Sequence, residues 1–246
     1  MLRAAFFDLG DTLLRARGDR AAILAAHRDR LIERFGKRDW YDELLGADLL
    51  SELLLDDPAE PLRQRTLTVL RRWLERRGVD VADLDLDELR RAAEVPRKLN
   101  ATLAPSAHEV LTWVRTRGLR IAVVSNTLWT GDDELRADLP LLGLADVVDV
   151  VVTSHSTGYR KPHRAIYERA LDLAGVRAAE AVMVGDEPYA DVYGAKRAGL
   201  RAVWLRLPPP RPHPVGAPVG IAFAEEADGT ISALSDLIPV VERWTA

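Results

Sequence analysis

Five short apolar segments along the chain have the pattern of buried parallel strands. Each is rich in β-branched, aromatic or small residues and is bounded by polar or turn-forming residues. They span residues 3–9, 120–126, 146–154, 181–187 and 201–207. Amphipathic stretches with helical spacing lie between them, at 108–117, 164–174 and 190–198. This alternation predicts an α/β fold with a doubly wound, mostly parallel sheet.

A different pattern occupies residues 16–100. Apolar residues with helical spacing run through 20–35, 40–55, 61–77 and 86–99, interrupted by Gly36, Pro58 and Gly78. No segment in this region has a convincing strand pattern. We therefore predict a helical domain, 16–100, inserted into a core domain formed by residues 1–15 and 101–246.

Composition narrows the class of protein. The 246 residues are 48% hydrophobic and 29% charged, which is typical of a globular protein. A net charge of −4 gives no general attraction to nucleic acid or to an anionic membrane. The absence of cysteine excludes disulfides, thiolate metal sites and cysteine nucleophiles. With no signal peptide or membrane-spanning run in the sequence, we expect a cytoplasmic protein.

The proline-rich segment 207–218 is incompatible with a helix or an inner strand, because proline removes backbone donors. We expect an ordered loop or a flexible connector there. The pattern of a short helix returns near the end of the chain.

Candidate chemistry lies where the predicted strands end, since ligands of open parallel sheets bind beyond the carboxyl ends of the strands. The polar residues at these ends are Asp8, Ser125, Lys161, Asp186 and Asp191. Taken singly, each has an ordinary explanation as a helix cap, a turn residue or a solvated loop residue. Their shared placement on one rim of the sheet indicates a functional site.

Four motifs carry a family resemblance. They are "DLGDT" at 8–12, "VVSNT" at 123–127, "RKP" at 160–162 and "VGDEPYADVYGAKRAG" at 184–199. Together they resemble the motifs of the haloacid dehalogenase-like hydrolase superfamily. The helical insertion is similar to the helical cap domain of the first type in that superfamily.

The resemblance implies roles for the rim residues. Asp8 would be the nucleophile and form an aspartyl-phosphate. A Mg²⁺ ion would be held by Asp8, Asp186 and the backbone carbonyl of Gly10. Asp191 would either bind the metal through water or orient Lys161, and the sequence does not choose between these roles. The phosphoryl group would be held by Ser125, Asn126 and Lys161.

One position departs from the family pattern. Phosphatases of the superfamily usually carry a second Asp two residues after the nucleophile, as general acid and base, and here that residue is Gly10. Asp11 is the obvious substitute. In an extended chain Asp11 would point away from Asp8, whereas in a helical turn the two would share a face. Asp11 is therefore a candidate acid/base, and the alternative is a structural role in capping the turn.

Three functions fit these residues. The first is a Mg²⁺-dependent phosphatase that acts on a small phosphorylated metabolite. The second is a member of the superfamily that binds a phosphorylated ligand or a protein partner with little turnover, in line with Gly10. The third is a 2-haloacid dehalogenase, which needs no proton donor to an alkoxide but has no use for the acidic metal loop.

Overall fold

The computed structural model describes residues 1–44, 60, 62–94, 100–208 and 223–245. Its strands are β1 (Ala4–Phe7), β2 (Leu14–Ala16), β3 (Ala101–Leu103), β4 (Arg120–Ser125), β5 (Val150–Thr153), β6 (Ala181–Gly185), β7 (Arg201–Leu205) and β8 (Gly229–Ile231). Six of them form one sheet in the order β5-β4-β1-β6-β7-β8. Every pair in that sheet is parallel. The predicted parallel α/β sheet is confirmed.

The helices alternate with these strands or lie between β2 and β3. They are α1 (Arg20–Phe35), α2 (Tyr41–Leu44), α3 (Thr66–Arg76), α4 (Leu86–Ala93), α5 (Ala107–Thr116), α6 (Asp132–Asp138), α7 (Ser154–Thr157), α8 (Arg164–Ala174), α9 (Gly194–Arg197) and α10 (Leu237–Thr245). A wide π-type turn, Pro188–Tyr193, leads into α9. Within the described ranges, no helix is both long enough and apolar enough to cross a bilayer.

The main sheet is buried on both faces, as the continuous apolar strands require. Alternate residues of β1 point to opposite faces. Ala5 and Phe7 pack with the layer that contains α5 and α10, while Ala4 and Phe6 pack with the layer that contains α8. Because both faces are covered, a ligand can reach the sheet only at the polar ends of its strands.

The helical region has a hydrophobic cluster of its own. Leu31, Tyr41 and Trp73 are fully buried in it, together with residues of α3 and α4. Trp40 stacks edge-on against Tyr41, with ring centroids 4.7 Å apart. Trp40 and Tyr41 are thus packing residues of this cluster. The division into an inserted cap, 16–100, and a core remains a prediction.

The structure adds the short helices α6 and α7 and, in two places, strands that were not predicted. Strands β2 and β3 pair antiparallel across the two boundaries of the helical region, with Ala16 opposite Ala101. Each has only three residues, too few for periodicity to show. The second addition is β8, which extends the edge of the main sheet beside β7.

Several predicted ranges are shorter in the structure. The helix predicted over 61–77 begins at Thr66, because Gln64 and Arg160 make backbone hydrogen bonds that join 62–64 to 158–160. The helix predicted over 86–99 ends at Ala93, where Glu94 becomes extended. Residues 45–55 of the predicted second helix and most of the 207–218 segment lie outside the described residues.

Candidate active site

The strand order reverses at β1, which lies between β4 and β6, and this is where an open α/β sheet forms a crevice. Asp8 follows β1 directly, Ser125 ends β4 and Asp186 follows β6. These three residues line one cavity of about 830 Å³, with Gly10, Asp11 and Asn126. The structure thus brings residues from distant parts of the sequence to one rim, as predicted.

Lys161 joins the rim from the loop after α7. Its Nζ donates to Asp8 Oδ1 and to Asp191 Oδ1, both at 2.6 Å. The Lys161 side chain is 1% exposed and that of Asp191 is fully buried. Burial opposes the positive charge, but the two carboxylates raise the pKa of Lys161 above its ordinary value. A charged ammonium is therefore fixed beside Asp8.

The electrostatics of Asp8 show an excess of negative charge. Burial raises the pKa of Asp8 to about 8; Lys161 opposes the shift, and Asp191 and Asp186 add to it. One ammonium thus faces three carboxylates whose oxygens lie within 4.8 Å of one another. Such a site favours the binding of a cation.

The donor set fits Mg²⁺. Asp8, Asp186 and Asp191 offer buried carboxylate oxygens, the ligands that a hard divalent cation prefers, and two positive charges would balance the excess. Oδ1 of Asp191 already accepts from Lys161 and Oδ2 accepts from the Glu187 N–H at 3.0 Å. These bonds favour a role for Asp191 in orienting Lys161 and the loop.

The backbone around Lys161 is held by Asn126. The Lys161 N–H donates to Asn126 Oδ1 at 2.7 Å, and Asn126 Nδ2 donates to the Lys161 carbonyl at 3.1 Å. The Asn126 side chain is thus engaged with the protein, which leaves its backbone N–H as the group to offer a phosphoryl oxygen. No described residue forms a hydrogen bond with the Ser125 hydroxyl, which borders the cavity.

Two residues that support the acidic loop escaped the sequence analysis. The hydroxyl of Thr12, which is fully buried, donates to Asp186 Oδ1 at 3.1 Å. Trp204 Nε1 donates to the Asp186 carbonyl at 3.2 Å. Thr12 stands within the quoted "DLGDT" motif, so its position was visible, whereas the contact of Trp204 follows only from the pairing of β6 with β7.

Gly185 allows the close approach of Asp191. A Cβ at Gly185 would overlap the carboxyl group of Asp191, whereas a Cβ at Gly10 would meet open space. The glycine that ends β6 is therefore required by packing, and Gly10 is not.

The turn after β1 matches neither simple geometry considered for Asp11. The backbone turns left-handed there, with φ 55°, and the N–H groups of Leu13 and Leu14 both donate to the Leu9 carbonyl. Asp11 is half-buried and lines the same cavity as Asp8. Its acid/base role stays a prediction.

His155, which follows β5, lies away from this rim. It is near Arg90, Asp87 and Glu134. Burial lowers the pKa of His155, and the positive charge of Arg90 lowers it further. It does not line the cavity. His155 is therefore not part of this site.

The helical region closes the other side of the cavity. Ile23, Leu24, Leu44 and Ala93 face Leu128 and Trp129 of the core there. Arg90 of α4 is 3% exposed and bridges the two regions: it donates to the Trp129 carbonyl and, at 2.6 Å, to Glu134 of α6. Thr130 donates to Glu94. The cavity is thus a cleft between the sheet rim and the helices.

Comparison with known proteins identifies the family. A glyceraldehyde 3-phosphate phosphatase of Pyrococcus furiosus is 28% identical over 252 residues, covering 98% of this chain and 94% of that protein. A phosphoserine phosphatase of Thermus thermophilus is 41% identical over 103 residues, covering 42% of this chain and 40% of that protein.

Among solved structures, a 2-haloacid dehalogenase of Pseudomonas syringae pv. Tomato DC3000 aligns with a TM-score of 0.66 at 28% identity. The alignment covers 99% of this chain and 100% of that one. Residues 2–199 match the haloacid dehalogenase-like hydrolase family. The chain belongs to the haloacid dehalogenase-like hydrolases.

Proposed function

We propose that this protein is a phosphatase that hydrolyses a small phosphorylated metabolite through an aspartyl-phosphate on Asp8, with Mg²⁺ as cofactor. The observation that carries the proposal is the contact of Lys161 Nζ with both Asp8 and Asp191 beside the buried Asp186. Related phosphatases, the glyceraldehyde 3-phosphate and phosphoserine enzymes, support the same reaction class.

In the first step, a carboxylate oxygen of Asp8 attacks phosphorus and the bond from phosphorus to the alcohol oxygen breaks. Lys161 offsets negative charge on Asp8 and on the transferring group, and it is held for this by Asp191 and Asn126. Ser125 and the N–H of Asn126 donate to phosphoryl oxygens. In the second step, water attacks phosphorus and the bond from phosphorus to the Asp8 oxygen breaks, which releases phosphate and restores the Asp8 carboxylate. The proton of the attacking water passes to the group that gave its proton to the alkoxide in the first step.

Asp8, Asp186 and the carbonyl of Gly10 would hold the Mg²⁺ ion, with Asp191 next to it. When bound, the ion neutralises phosphoryl charge and so lowers the repulsion between substrate and carboxylate. The protein keeps the Asp186 carboxylate in place through Thr12 and the Asp186 backbone through Trp204.

A direct test compares Asp8→Asn and Asp186→Asn with the wild type on 4-nitrophenyl phosphate and Mg²⁺. We expect both variants to lose nearly all turnover, because one lacks the nucleophile and the other a metal ligand. Persistence of activity in either variant would contradict the mechanism. Thermal stabilisation by Mg²⁺ plus a phosphate mimic, without turnover on any ester of a metabolite panel, would instead favour a binding protein.

The leaving alkoxide needs a proton, and we propose Asp11 as its donor because Asp11 borders the cavity and position 10 has no side chain. An alkyl phosphate needs this proton far more than 4-nitrophenyl phosphate does. Asp11→Asn should therefore lower the rate on an alkyl phosphate by about 10²-fold, with a much smaller loss on the aryl ester. Equal losses on both esters would assign Asp11 a structural role.

Dehalogenation of a 2-haloacid is the second candidate. It is favoured by the dehalogenase structure that aligns over the whole chain and by the missing side chain at Gly10. The three buried carboxylates oppose it, because without a cation they repel a carboxylate substrate. Halide release from 2-chloropropionate in the presence of a chelator would establish this activity.

A further inference from the structure

Arg15 of β2 is a cation in the cavity that the proposed hydrolysis does not use. Among the described residues, the lining contains five carboxylates and two cationic side chains, Arg15 and Arg17. Arg15 is half-buried, whereas Arg17 is exposed. Half-burial of a guanidinium on the wall of a substrate cleft calls for an anionic partner.

Among the described residues, no carboxylate pairs with Arg15. Nη1 of Arg15 donates to the carbonyls of Asp11 and Leu14, the latter at 3.2 Å. Both of these bonds come from Nη1; neither Nε nor Nη2 donates to any described residue, and Arg15 forms no ion pair within the described ranges. Two backbone carbonyls thus hold the side chain while a donor pair stays available to a ligand.

We propose that Arg15 binds a second anionic group, a carboxylate or a second phosphate, on the part of the substrate that leaves as the alcohol. The inference rests on the proposed phosphatase function and names its substrate class: phosphate monoesters with a second negative charge. The phosphate to be cleaved lies at Asp8 and Lys161, and the other anion lies against Arg15. Planar guanidinium donors match either group.

The positions of Arg15 and Asp8 in the fold support two separate binding points for the two anions. Arg15 belongs to the β2–β3 ribbon, at the boundary of the helical region, whereas Asp8 and Ser125 end strands of the main sheet. The apolar residues Ile23, Leu24 and Leu44 line the same cavity. A substrate would therefore have one anion on the rim and its other end at Arg15 beside an apolar wall.

Two matched pairs of esters test the proposal on the wild-type protein. 3-Phosphoglycerate differs from glyceraldehyde 3-phosphate by a carboxylate in place of an aldehyde. Ribulose 1,5-bisphosphate differs from ribulose 5-phosphate by a second phosphate. We expect kcat/KM to be about tenfold higher, or more, for the doubly anionic member of at least one pair. The pair that shows the preference identifies the group as carboxylate or phosphate.

Arg15→Gln should remove the preference, mainly by raising KM for the doubly anionic ester. Arg71→Gln is the matched control, because it removes the same charge from an exposed position of α3 outside the cavity. It should keep the wild-type ratio. If Arg15→Gln is unfolded by thermal melting, Arg15→Lys replaces it, and an intermediate ratio is expected because the charge remains without the planar fork.

Two results would overturn the inference. One is a wild-type protein that hydrolyses the neutral-tailed ester of each pair as well as, or better than, its partner. The other is an Arg15→Gln variant whose kcat/KM falls by one common factor for all four esters, which would make Arg15 a support for the turn at 11–14. Absence of hydrolysis of every ester would refute the phosphatase function itself, a separate outcome.

Discussion

The two sides of the cleft are built differently. On the sheet side, Asp8, Lys161 and Asp191 are joined by hydrogen bonds of 2.6 Å and are almost completely buried. On the helical side, Ile23 and Leu24 are half-buried and line the same cavity as Arg15. The first side has little freedom to vary because each charge depends on its neighbours. The second can change its side chains without disturbing that network, which suits a role in substrate choice.

The largest effect should come from Lys161→Met on the sheet side. It removes a buried ammonium and leaves Asp8 and Asp191 without their cation, so we expect the free energy of unfolding to fall by about 3 kcal/mol at pH 7. We also expect kcat/KM to fall by at least about 10²-fold. Urea unfolding and steady-state kinetics measure both.

Lys196→Met is the control for that variant. Lys196 pairs with Asp228 at 2.9 Å, but both side chains are about a third exposed. Its loss should cost about 0–1 kcal/mol. If the two variants lost the same free energy of unfolding, the burial of Lys161 would add nothing to the stability that its ion pairs provide.

Gly185→Ala tests how tightly the sheet side is packed. The new Cβ would overlap the Asp191 carboxyl, so we expect a loss of about 1–3 kcal/mol in stability and a loss of activity. Gly10→Ala adds the same atom where there is open space and should leave the melting temperature unchanged. A stable, active Gly185→Ala variant would contradict the packing described for Asp191.

The excess negative charge on the rim predicts a pH dependence. The pKa of Asp8 is about 8 in the folded protein against an ordinary 3.8, so between these values the folded state binds a proton that the unfolded chain does not. Without divalent ions, this contribution to stability is present at about pH 4 and is lost as pH rises towards 8.

Mg²⁺ has to displace that proton, so its apparent affinity should rise by up to about tenfold per pH unit from pH 6 to 8. Thermal shifts at a fixed Mg²⁺ concentration measure the trend. Asp8→Asn cannot titrate and is expected to show a much flatter profile. A wild-type shift that is the same at pH 6 and pH 8 would argue against a protonated Asp8.

The smallest effect should come from the helical side. Ile23→Ala removes part of a half-buried wall, with an expected cost of less than about 1 kcal/mol in stability. Turnover of 4-nitrophenyl phosphate should fall a few-fold, while inhibition by inorganic phosphate, which needs only the rim, stays the same. Weaker inhibition by phosphate in this variant would mean that the two sides are coupled.

Sequence patterns were sufficient for five of the six strands of the sheet, because each of the five is a continuous apolar run of the kind that a buried parallel strand requires. The edge strand β8 has only three residues and shows no such run. Ligands of open parallel sheets bind beyond the carboxyl ends of the strands, and this predicted that Asp8, Ser125 and Asp186 lie on one rim. These predictions used only local composition and chain order.

Contacts across the fold were beyond the same reasoning. The bond from Thr12 to Asp186 joins residues 174 positions apart, and the pairing of β2 with β3 joins three-residue strands. The engagement of Asn126 with Lys161 likewise depends on how a loop lies against β4. Such contacts depend on tertiary packing. A single residue has no periodicity, so the sequence pattern does not show which distant residue it contacts.

The β2–β3 ribbon has a consequence for the modularity of the chain. Ala16 and Ala101, at the two ends of the predicted cap, are directly opposed, and opposed residues of an antiparallel pair lie about 5 Å apart. A tight turn of two residues can span that gap. If the predicted division into cap and core holds, we expect that a replacement segment which keeps this short gap leaves the ends of β1 and β4 in place, so that the reaction centre could be combined with a different cap.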